Sequence, residues 1–188
     1  MADTTAAKTS ETTPDYLVVS CSLNSGSNSR LLARYTLECL KEQGLRAGWL
    51  DLRETPLPQC DGDEAYNHPS VADVRARVES AACILLALPV YNFNASSAAK
   101  NLVELTGDAW TDKVVGFMCA AGGKLSYMAI MGLANSLMLD FRSIVIPRFV
   151  YADSSAFQDG KLVSDKVKER LVVLAQEAVR FTTALKGS

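Results

Sequence analysis

The chain has 188 residues, 48% of them hydrophobic, which predicts one globular domain with a sizeable core. Its 19 basic and 21 acidic residues nearly cancel, so charge gives no basis for binding nucleic acid or an anionic membrane surface. The longest apolar run, from Ala81 to Val90, is too short to span a bilayer.

Residues 1–14 are rich in threonine and alanine and end at a proline, which predicts a flexible tail ahead of a single domain formed by residues 15–188. The tail has no apolar signal core and no arginine, so we expect neither a secretory signal nor an intact transit peptide. The five cysteines form no CxxC pair, and Cys21, Cys83 and Cys119 fall in or beside predicted strands. This pattern favours a cytoplasmic protein without disulfides.

The first predicted strand, Leu17–Val19, leads through a hydroxyl-rich turn into an apolar helical pattern that runs to about residue 43. Four serines and two asparagines occupy the turn, residues 22–29, and Gly26 is expected to allow a tight backbone turn. Serine hydroxyls beside the unpaired N–H groups of a helix start predict a phosphate site. The alternative is a plain helix cap by Ser27 or Ser29.

The second strand is predicted over Leu45–Leu52. Asp51 is interpreted as an ordinary strand-end or cap residue, because the preceding turn has no GxGxxG to pair it with a nucleotide ribose. Residues 53–69 form a long loop with three prolines, typical of a lid or an interface. Within it, Cys60 is expected to be an exposed thiol and His68 a solvated residue, not a metal ligand or catalytic base.

Ser70 is expected to cap the second helix, and Cys83–Leu88 is an unbroken apolar strand typical of a parallel sheet covered on both faces. The remaining predicted elements are a helix capped by Ser96 or Ser97, a strand over Val114–Cys119, a helix opened by Ser126, a strand ending at Ile146, a turn over 151–160 and a helix over about 164–184. Five strands alternating with five helices predict an α/β fold with an open parallel sheet and right-handed crossovers.

Three unusual loops each follow a predicted strand: residues 22–29, 89–97 and 120–124. In an open parallel sheet the ligand lies beyond the carboxyl ends of the strands, where the strand order switches. We therefore expect the three loops to meet at one edge of the sheet and to form a single site.

The second and third loops favour a planar ligand. Tyr91 and Phe93 offer flat apolar faces on either side of the Asn92 amide, and Gly122 and Gly123 leave the backbone bare. A phosphate at one end and a polar aromatic ring at the other describe a mononucleotide, and FMN fits best. The alternatives are core packing for the two aromatic residues and a tight turn for the two glycines.

These motifs have a counterpart in a known family. The turn from Ser22 to Ser29, followed by Leu32-Ala33, is similar to the phosphate loop of the NAD(P)H-dependent FMN reductases, and Pro89–Asn92 with Lys100-Asn101 is similar to their PEYN…KN signature. That family of flavodoxin-like proteins includes quinone, azo-dye and chromate reductases. The resemblance implies a five-stranded parallel sheet in the order 2-1-3-4-5 with helices on both faces.

The resemblance also implies the residues of the cofactor site. Those near the phosphate would be Ser22, Asn24, Ser27, Asn28 and Ser29. Those near the isoalloxazine ring would be Pro89, Val90, Tyr91, Asn92, Phe93, Ala121, Gly122 and Gly123. No catalytic side chain and no metal is implied, because FMN would carry the chemistry.

Departures from the family pattern leave some properties open. Asn24 stands where arginine is frequent, so the choice between NADPH and NADH stays open. Val90 replaces a frequent glutamate, and residues 94–97 replace a Ser-x-Pro-Gly segment, so the shape of the acceptor site stays open. Many family members form dimers or tetramers, and the resemblance implies a homodimer or homotetramer here. Tyr127, Met128 and Met131 would suit such an interface or the core.

The resulting hypothesis is an enzyme that transfers hydride from NADPH or NADH to FMN and then electrons to a quinone, a free flavin or a similar small-molecule acceptor. Three alternatives stay open. The protein could be a non-enzymatic flavodoxin-type electron carrier, a flavodoxin-like protein that binds another phosphate ligand, or a binding module whose flavin site has decayed.

Overall fold

The computed structural model describes residues 15–186, so the tail predicted at residues 1–14 lies outside the described residues. In chain order the strands and helices are β1 (Tyr16–Ser20), α1 (Asn28–Glu42), β2 (Ala47–Asp51), α2 (Pro69–Ser80), β3 (Cys83–Tyr91), β4 (Asn94–Ala95), α3 (Ser97–Thr106), β5 (Val114–Ala120), α4 (Met131–Phe141), β6 (Ile144–Val145), β7 (Val150–Ala152), β8 (Phe157–Gln158), β9 (Lys161–Leu162) and α5 (Asp165–Lys186).

The main sheet has the strand order β2-β1-β3-β5-β6, and each neighbouring pair along it is parallel. The short strand β4 is a separate antiparallel partner of β3. Without β4, this is the predicted 2-1-3-4-5 order of a flavodoxin-like α/β fold, and that prediction is confirmed. The order switches direction between β1 and β3, so their carboxyl ends flank the expected ligand position.

Side chains from the two faces of the sheet enter two separate cores. Along β1, Leu17 and Val19 pack with α2, α3 and α4, whereas Tyr16 and Val18 pack with α1 and α5. This alternation follows from the two-residue period of a strand, and it leaves the central strands buried on both sides. Each helix buries mainly one face, and no helix within residues 15–186 is long and apolar enough to cross a membrane.

The fifth position in the sheet departs from the prediction of one continuous strand. Two short strands, β6 and β7, both pair with β5 there. Between them Pro147 has no N–H to donate to a ladder, and Arg148 has a left-handed φ of 62°. The turn predicted over 151–160 is confirmed at Asp159 and Gly160, which join β8 to β9, and is wrong for the rest of its length, where β7, a 3₁₀ turn and β8 lie.

Two helix starts also differ from the predictions. Helix α2 is capped by His68 and not by Ser70: the Nδ1 atom of His68 accepts a hydrogen bond from the Ser70 N–H at 3.2 Å, and Pro69 takes the first helical position. Helix α4 begins at Met131, after a 3₁₀ turn that follows Ser126. The Ser126 hydroxyl instead lies 2.9 Å from the Tyr151 hydroxyl.

Candidate cofactor site

The three loops singled out in the sequence meet at the carboxyl edge of the sheet. They enclose a cavity of about 190 Å³ beyond the ends of β1, β3 and β5. Its lining residues are Ser22, Asn24, Gly26, Ser27, Asn28, Ser29, Pro89, Val90, Tyr91, Ala120, Ala121, Gly122 and Ser154. The structure therefore brings together ten of the residues that the sequence assigns to the site, and it leaves out Asn92, Phe93 and Gly123. We call this cavity and its rim the candidate cofactor site.

Residues 22–29, which we call the serine loop, fold through their own side chains. The Ser22 hydroxyl accepts a hydrogen bond from the Asn24 N–H at 3.3 Å, and the Asn24 side-chain oxygen accepts one from the Gly26 N–H at 2.9 Å. Gly26 does not have a positive φ, and a Cβ there would come no closer than 3.9 Å to another group. The turn is present at residues 25–26, but the expectation that a side chain at residue 26 would hinder it is wrong.

The end of the serine loop holds a buried pair of hydroxyls at the start of α1. The Ser27 oxygen caps the helix by accepting a hydrogen bond from the Arg30 N–H at 3.3 Å, so Ser27 fulfils the simple capping role. The hydroxyls of Ser27 and Ser29 lie 2.9 Å apart, and either can donate to the other. In both arrangements one hydroxyl proton of the pair stays available to an acceptor in the cavity.

Backbone donors complete this end of the site. Among the hydrogen bonds of residues 15–186, the N–H groups of Asn28 and Ser29 have no acceptor. They belong to the first turn of α1, where the helix dipole places partial positive charge. Hydroxyl and N–H donors around a small cavity match the chemistry of a phosphate group, so the donor set fits the phosphate end of FMN.

Arg30 is a component of the site that the sequence analysis missed. Its Nε and Nη2 atoms donate to the Asp51 carboxylate at 2.6 and 3.2 Å. Its Nη atoms also donate to three carbonyl oxygens of the serine loop, those of Ser22 at 2.9 Å, Asn24 at 2.7 Å and Ser25 at 3.2 Å. The guanidinium group thus ties the serine loop to the end of β2.

Asp51 has a larger role than the strand-end residue that the sequence suggested. Its side chain is only 1% exposed, and besides the Arg30 ion pair it accepts a hydrogen bond from the Arg53 N–H at 3.0 Å. The only sequence signal for the pair is an arginine in the first turn of one helix and an acid at the end of the next strand. That pattern is too common to single out the contact.

The second loop is a tight hairpin. Strand β3 continues past the predicted end at Leu88 to Tyr91, and β4 folds back so that Tyr91 pairs with Asn94. The two turn residues, Asn92 and Phe93, have left-handed φ angles of 50° and 60°. Such a turn matches the twist of the strands, but its second position favours glycine and here holds a phenylalanine.

The aromatic side chains of the hairpin lie on the surface. Tyr91 is 55% exposed and Phe93 is 67% exposed, so core packing does not explain them. Tyr91 lines the cavity, whereas Asn92 and Phe93 project beyond it at the hairpin tip. The assignment of Asn92 and Phe93 to the ring end of the cofactor therefore stays a prediction.

The third loop offers open backbone near the cavity. Neither Gly122 nor Gly123 has a positive φ, and a Cβ at either residue would meet no atom within 4 Å. Two hydroxyl groups fix their backbone: the Ser154 hydroxyl donates to the Gly122 carbonyl at 3.1 Å, and the Tyr151 hydroxyl donates to the Gly123 carbonyl. A tight turn therefore does not require these glycines. The open space beside their Cα atoms can take a planar group.

Thiols near the site are held in the neutral form. Burial and the neighbouring Asp51 carboxylate raise the pKa of the Cys21 thiol, which follows β1 directly. Burial raises the pKa of Cys119, near the end of β5, to about 12. Because the thiolate is the reactive form, neither residue supplies a nucleophile at neutral pH.

The long loop after β2 is fixed to α3 beside a second cavity. The Asn101 side chain accepts a hydrogen bond from the Cys60 N–H and donates one to the Pro58 carbonyl, each at 2.8 Å. The second cavity, of about 380 Å³, is lined by this loop, by the start of α3 and by Leu23 of the serine loop. Asn101, part of the motif quoted from the sequence, therefore has a structural role here.

Comparison with known proteins gives consistent results. Residues 14–158 match a family model described as NADPH-dependent FMN reductase. A protein from Geobacillus thermodenitrificans described as an NAD(P)H-dependent FAD/FMN reductase is 31% identical over 142 residues, covering 73% of this chain and 76% of that protein. An NAD(P)H:quinone oxidoreductase from Solanum tuberosum is 29% identical over 182 residues, covering 88% of this chain and 91% of that protein.

The fold is shared with solved structures at lower sequence identity. FerB, described as a flavoenzyme NAD(P)H:(acceptor) oxidoreductase from Paracoccus denitrificans, matches with a TM-score of 0.74 at 18% identity. The match covers 91% of this chain and 98% of FerB. At this level of identity, the likeness shows a common arrangement of strands and helices.

Proposed function

The chain belongs to the NADPH-dependent FMN reductase family, and we therefore propose that it reduces quinones or related small acceptors through FMN bound at the candidate cofactor site. The predicted family, the use of FMN with NAD(P)H and the assignment as an oxidoreductase are confirmed by the family match. The acceptor, the residues that hold FMN and the assembly are the parts proposed here.

The observation that carries the proposal is the convergence of donors and open backbone in one cavity. In our assignment the hydroxyls of Ser22, Ser27 and Ser29 hold the phosphate, with the N–H groups of Asn28 and Ser29. Asn24 shapes the serine loop through its own hydrogen bond. This set holds a dianion with neutral donors and the helix dipole, because the Arg30 charge is already paired with Asp51.

The ring end of FMN is assigned to the second and third loops. The cavity of about 190 Å³ accommodates the phosphate end, and the ring would extend over its open rim. Pro89, Val90 and Tyr91 line one side of this rim, and Ala121 and Gly122 line the other. Asn92, Phe93 and Gly123 do not line this cavity, and we assign them to the part of the ring that extends beyond it.

Bound FMN supplies the redox chemistry by taking up hydride from a nicotinamide and passing electrons to an acceptor. The protein's own part is to hold the cofactor, to position its ring with backbone groups and to leave one face open. The exposed Tyr91 and Phe93 side chains give that face an aromatic border, which suits a flat acceptor such as a quinone or a free flavin.

We also propose that residues 15–188 act as one FMN-binding domain that assembles into a cytoplasmic homodimer or homotetramer. Near the third loop, Leu125 is 89% exposed and Met128 is 62% exposed, with Tyr127 and Met131 beside them. Their exposure disfavours the alternative of core packing, and a cluster of large apolar side chains supports an interface. The near-neutral charge supports neither nucleic acid nor membranes as partners.

A variant tests the assembly. Met128→Glu places a charge in the apolar cluster, so we expect it to lower the molar mass measured by light scattering, from a dimer to one chain or from a tetramer to a smaller assembly. Glu169→Gln, on an exposed position of α5, is the control and should leave the molar mass unchanged. An unchanged mass above that of one chain in Met128→Glu would contradict this interface.

A steady-state assay tests the function. FMN-loaded protein is mixed with NADPH or NADH and a soluble quinone, and nicotinamide oxidation is followed by its absorbance. We expect quinone-dependent turnover with at least one of the two nicotinamides. Bound FMN with no nicotinamide oxidation would instead indicate the electron-carrier alternative and would overturn the proposal.

A further inference from the structure

The contacts of Arg30 control where the carbonyl groups of the serine loop point. Three of these carbonyls, from Ser22, Asn24 and Ser25, are held against the guanidinium group. A peptide unit is planar and trans, so its N–H points away from its carbonyl oxygen. Fixing the three carbonyls on Arg30 therefore turns the following N–H groups away from it.

The same contacts keep negative charge out of the cavity. A carbonyl oxygen carries partial negative charge, and one turned toward the cavity would repel a phosphate. Ser22 and Asn24 both line the cavity, and their carbonyl oxygens accept hydrogen bonds from Arg30. The arginine thus favours a loop conformation that an anion can occupy.

The charge of Arg30 is balanced within the protein. Its side chain is 15% exposed, and it forms a two-point ion pair with the 1% exposed carboxylate of Asp51. This planar fork matches the carboxylate and leaves N–H groups for the loop carbonyls, which a lysine cannot do. The pair therefore acts through geometry and adds no net charge to the site.

We propose that Arg30 and Asp51 are positioning residues that give the site its preference for FMN over riboflavin. The inference rests on the proposed function, because it assumes that FMN is bound with its phosphate in the serine loop. Riboflavin has the same ring but no phosphate, so it does not depend on the loop conformation that the pair enforces.

The test is to measure the dissociation constants of FMN and riboflavin by flavin fluorescence for the full chain and for Arg30→Lys. The variant keeps the charge but loses the fork. We expect FMN affinity to fall about tenfold or more, the scale of one charge-assisted hydrogen bond, with riboflavin affinity unchanged. Arg34→Lys is the matched control, because Arg34 lies one turn further along α1 over the Trp49 ring, and it should change neither constant.

A second variant covers the case in which Arg30→Lys does not fold. Arg30→Gln with Asp51→Asn removes both charges together, so it leaves no unpaired buried carboxylate. We expect it to lower the ratio of FMN to riboflavin affinity in the same way. An unchanged ratio in the variant that folds, or an equal loss of both affinities, would overturn the inference. Binding of neither flavin by the unmodified chain would overturn the proposed function instead.

Discussion

At the scale of single residues, the site contains neutral hydrogen-bond donors, which could be predicted from the sequence, and the Arg30–Asp51 ion pair, which could not. The serine-rich turn is local, so its position at a helix start could be predicted from a few neighbouring residues. The pairing of Arg30 with Asp51 joins residues that are 21 positions apart. It depends on how β1 and β2 align and on one extended arginine side chain, which no short pattern encodes.

The two hydroxyls at the start of α1 should differ in their effects on stability. Ser29→Ala removes a donor from the cavity, so we expect FMN affinity to fall about tenfold, the worth of one hydrogen bond to a charged group. Ser27→Ala should weaken FMN to a similar extent. It should also lower the free energy of unfolding by about 1 kcal/mol, because Ser27 caps the helix.

Isothermal titration with FMN and urea denaturation of the flavin-free protein measure the two effects. If the double variant Ser27→Ala with Ser29→Ala bound FMN as tightly as the unmodified chain, the phosphate would have been assigned to the wrong loop.

At the scale of elements, the prediction succeeds for long apolar segments and fails where the backbone makes a tight turn or a break inside a strand. The unbroken run from Cys83 indicated a central strand, and β3 is buried along most of its length. The hairpin that follows was not predicted, because Asn92-Phe93 is not a usual turn pair. The break between β6 and β7 was not predicted either, because it depends on one residue, Pro147, directly after an apolar run.

The hairpin tip gives a prediction about backbone strain. A left-handed conformation costs a residue with a side chain about 1–2 kcal/mol. Glycine avoids this cost, but it loses more conformational entropy on folding, which offsets part of the benefit. Phe93→Gly should therefore raise the free energy of unfolding by roughly 0.5–1 kcal/mol. Phe93→Ala, which removes the ring but keeps the strained φ, should bring no such gain.

Urea denaturation of the flavin-free proteins compares the two Phe93 variants. Equal free energies of unfolding for Phe93→Gly and Phe93→Ala would show that the φ of 60° has no energetic cost at this position.

At the scale of the whole molecule, the two cores and the parallel sheet decide which groups reach solvent. The five positions of the parallel sheet and their alternation with helices followed from the sequence, whereas the strand order followed from the family resemblance, since order depends on contacts between distant segments. The same burial protects most thiols. Cys21, Cys39, Cys83 and Cys119 are buried, and Cys60 is partly exposed.

Thiol reactivity tests this view of the molecule. Burial raises the pKa of Cys83 to about 12 and also raises that of Cys39, so at pH 8 these thiols are protonated as well as inaccessible. With Ellman's reagent we expect one of the five cysteines, Cys60, to react quickly in the native protein and all five to react in guanidinium chloride. Cys60→Ser should abolish the fast reaction. Two or more fast thiols in the native protein would contradict the burial described here.

The most direct test of FMN binding and reduction is the visible absorption spectrum of the purified protein after FMN is added and the excess is removed. If FMN binds at the candidate cofactor site, the protein retains a flavin band that bleaches when NADPH or NADH is added without air and returns when a quinone follows. A protein that stays colourless after the same treatment would contradict FMN binding at this site.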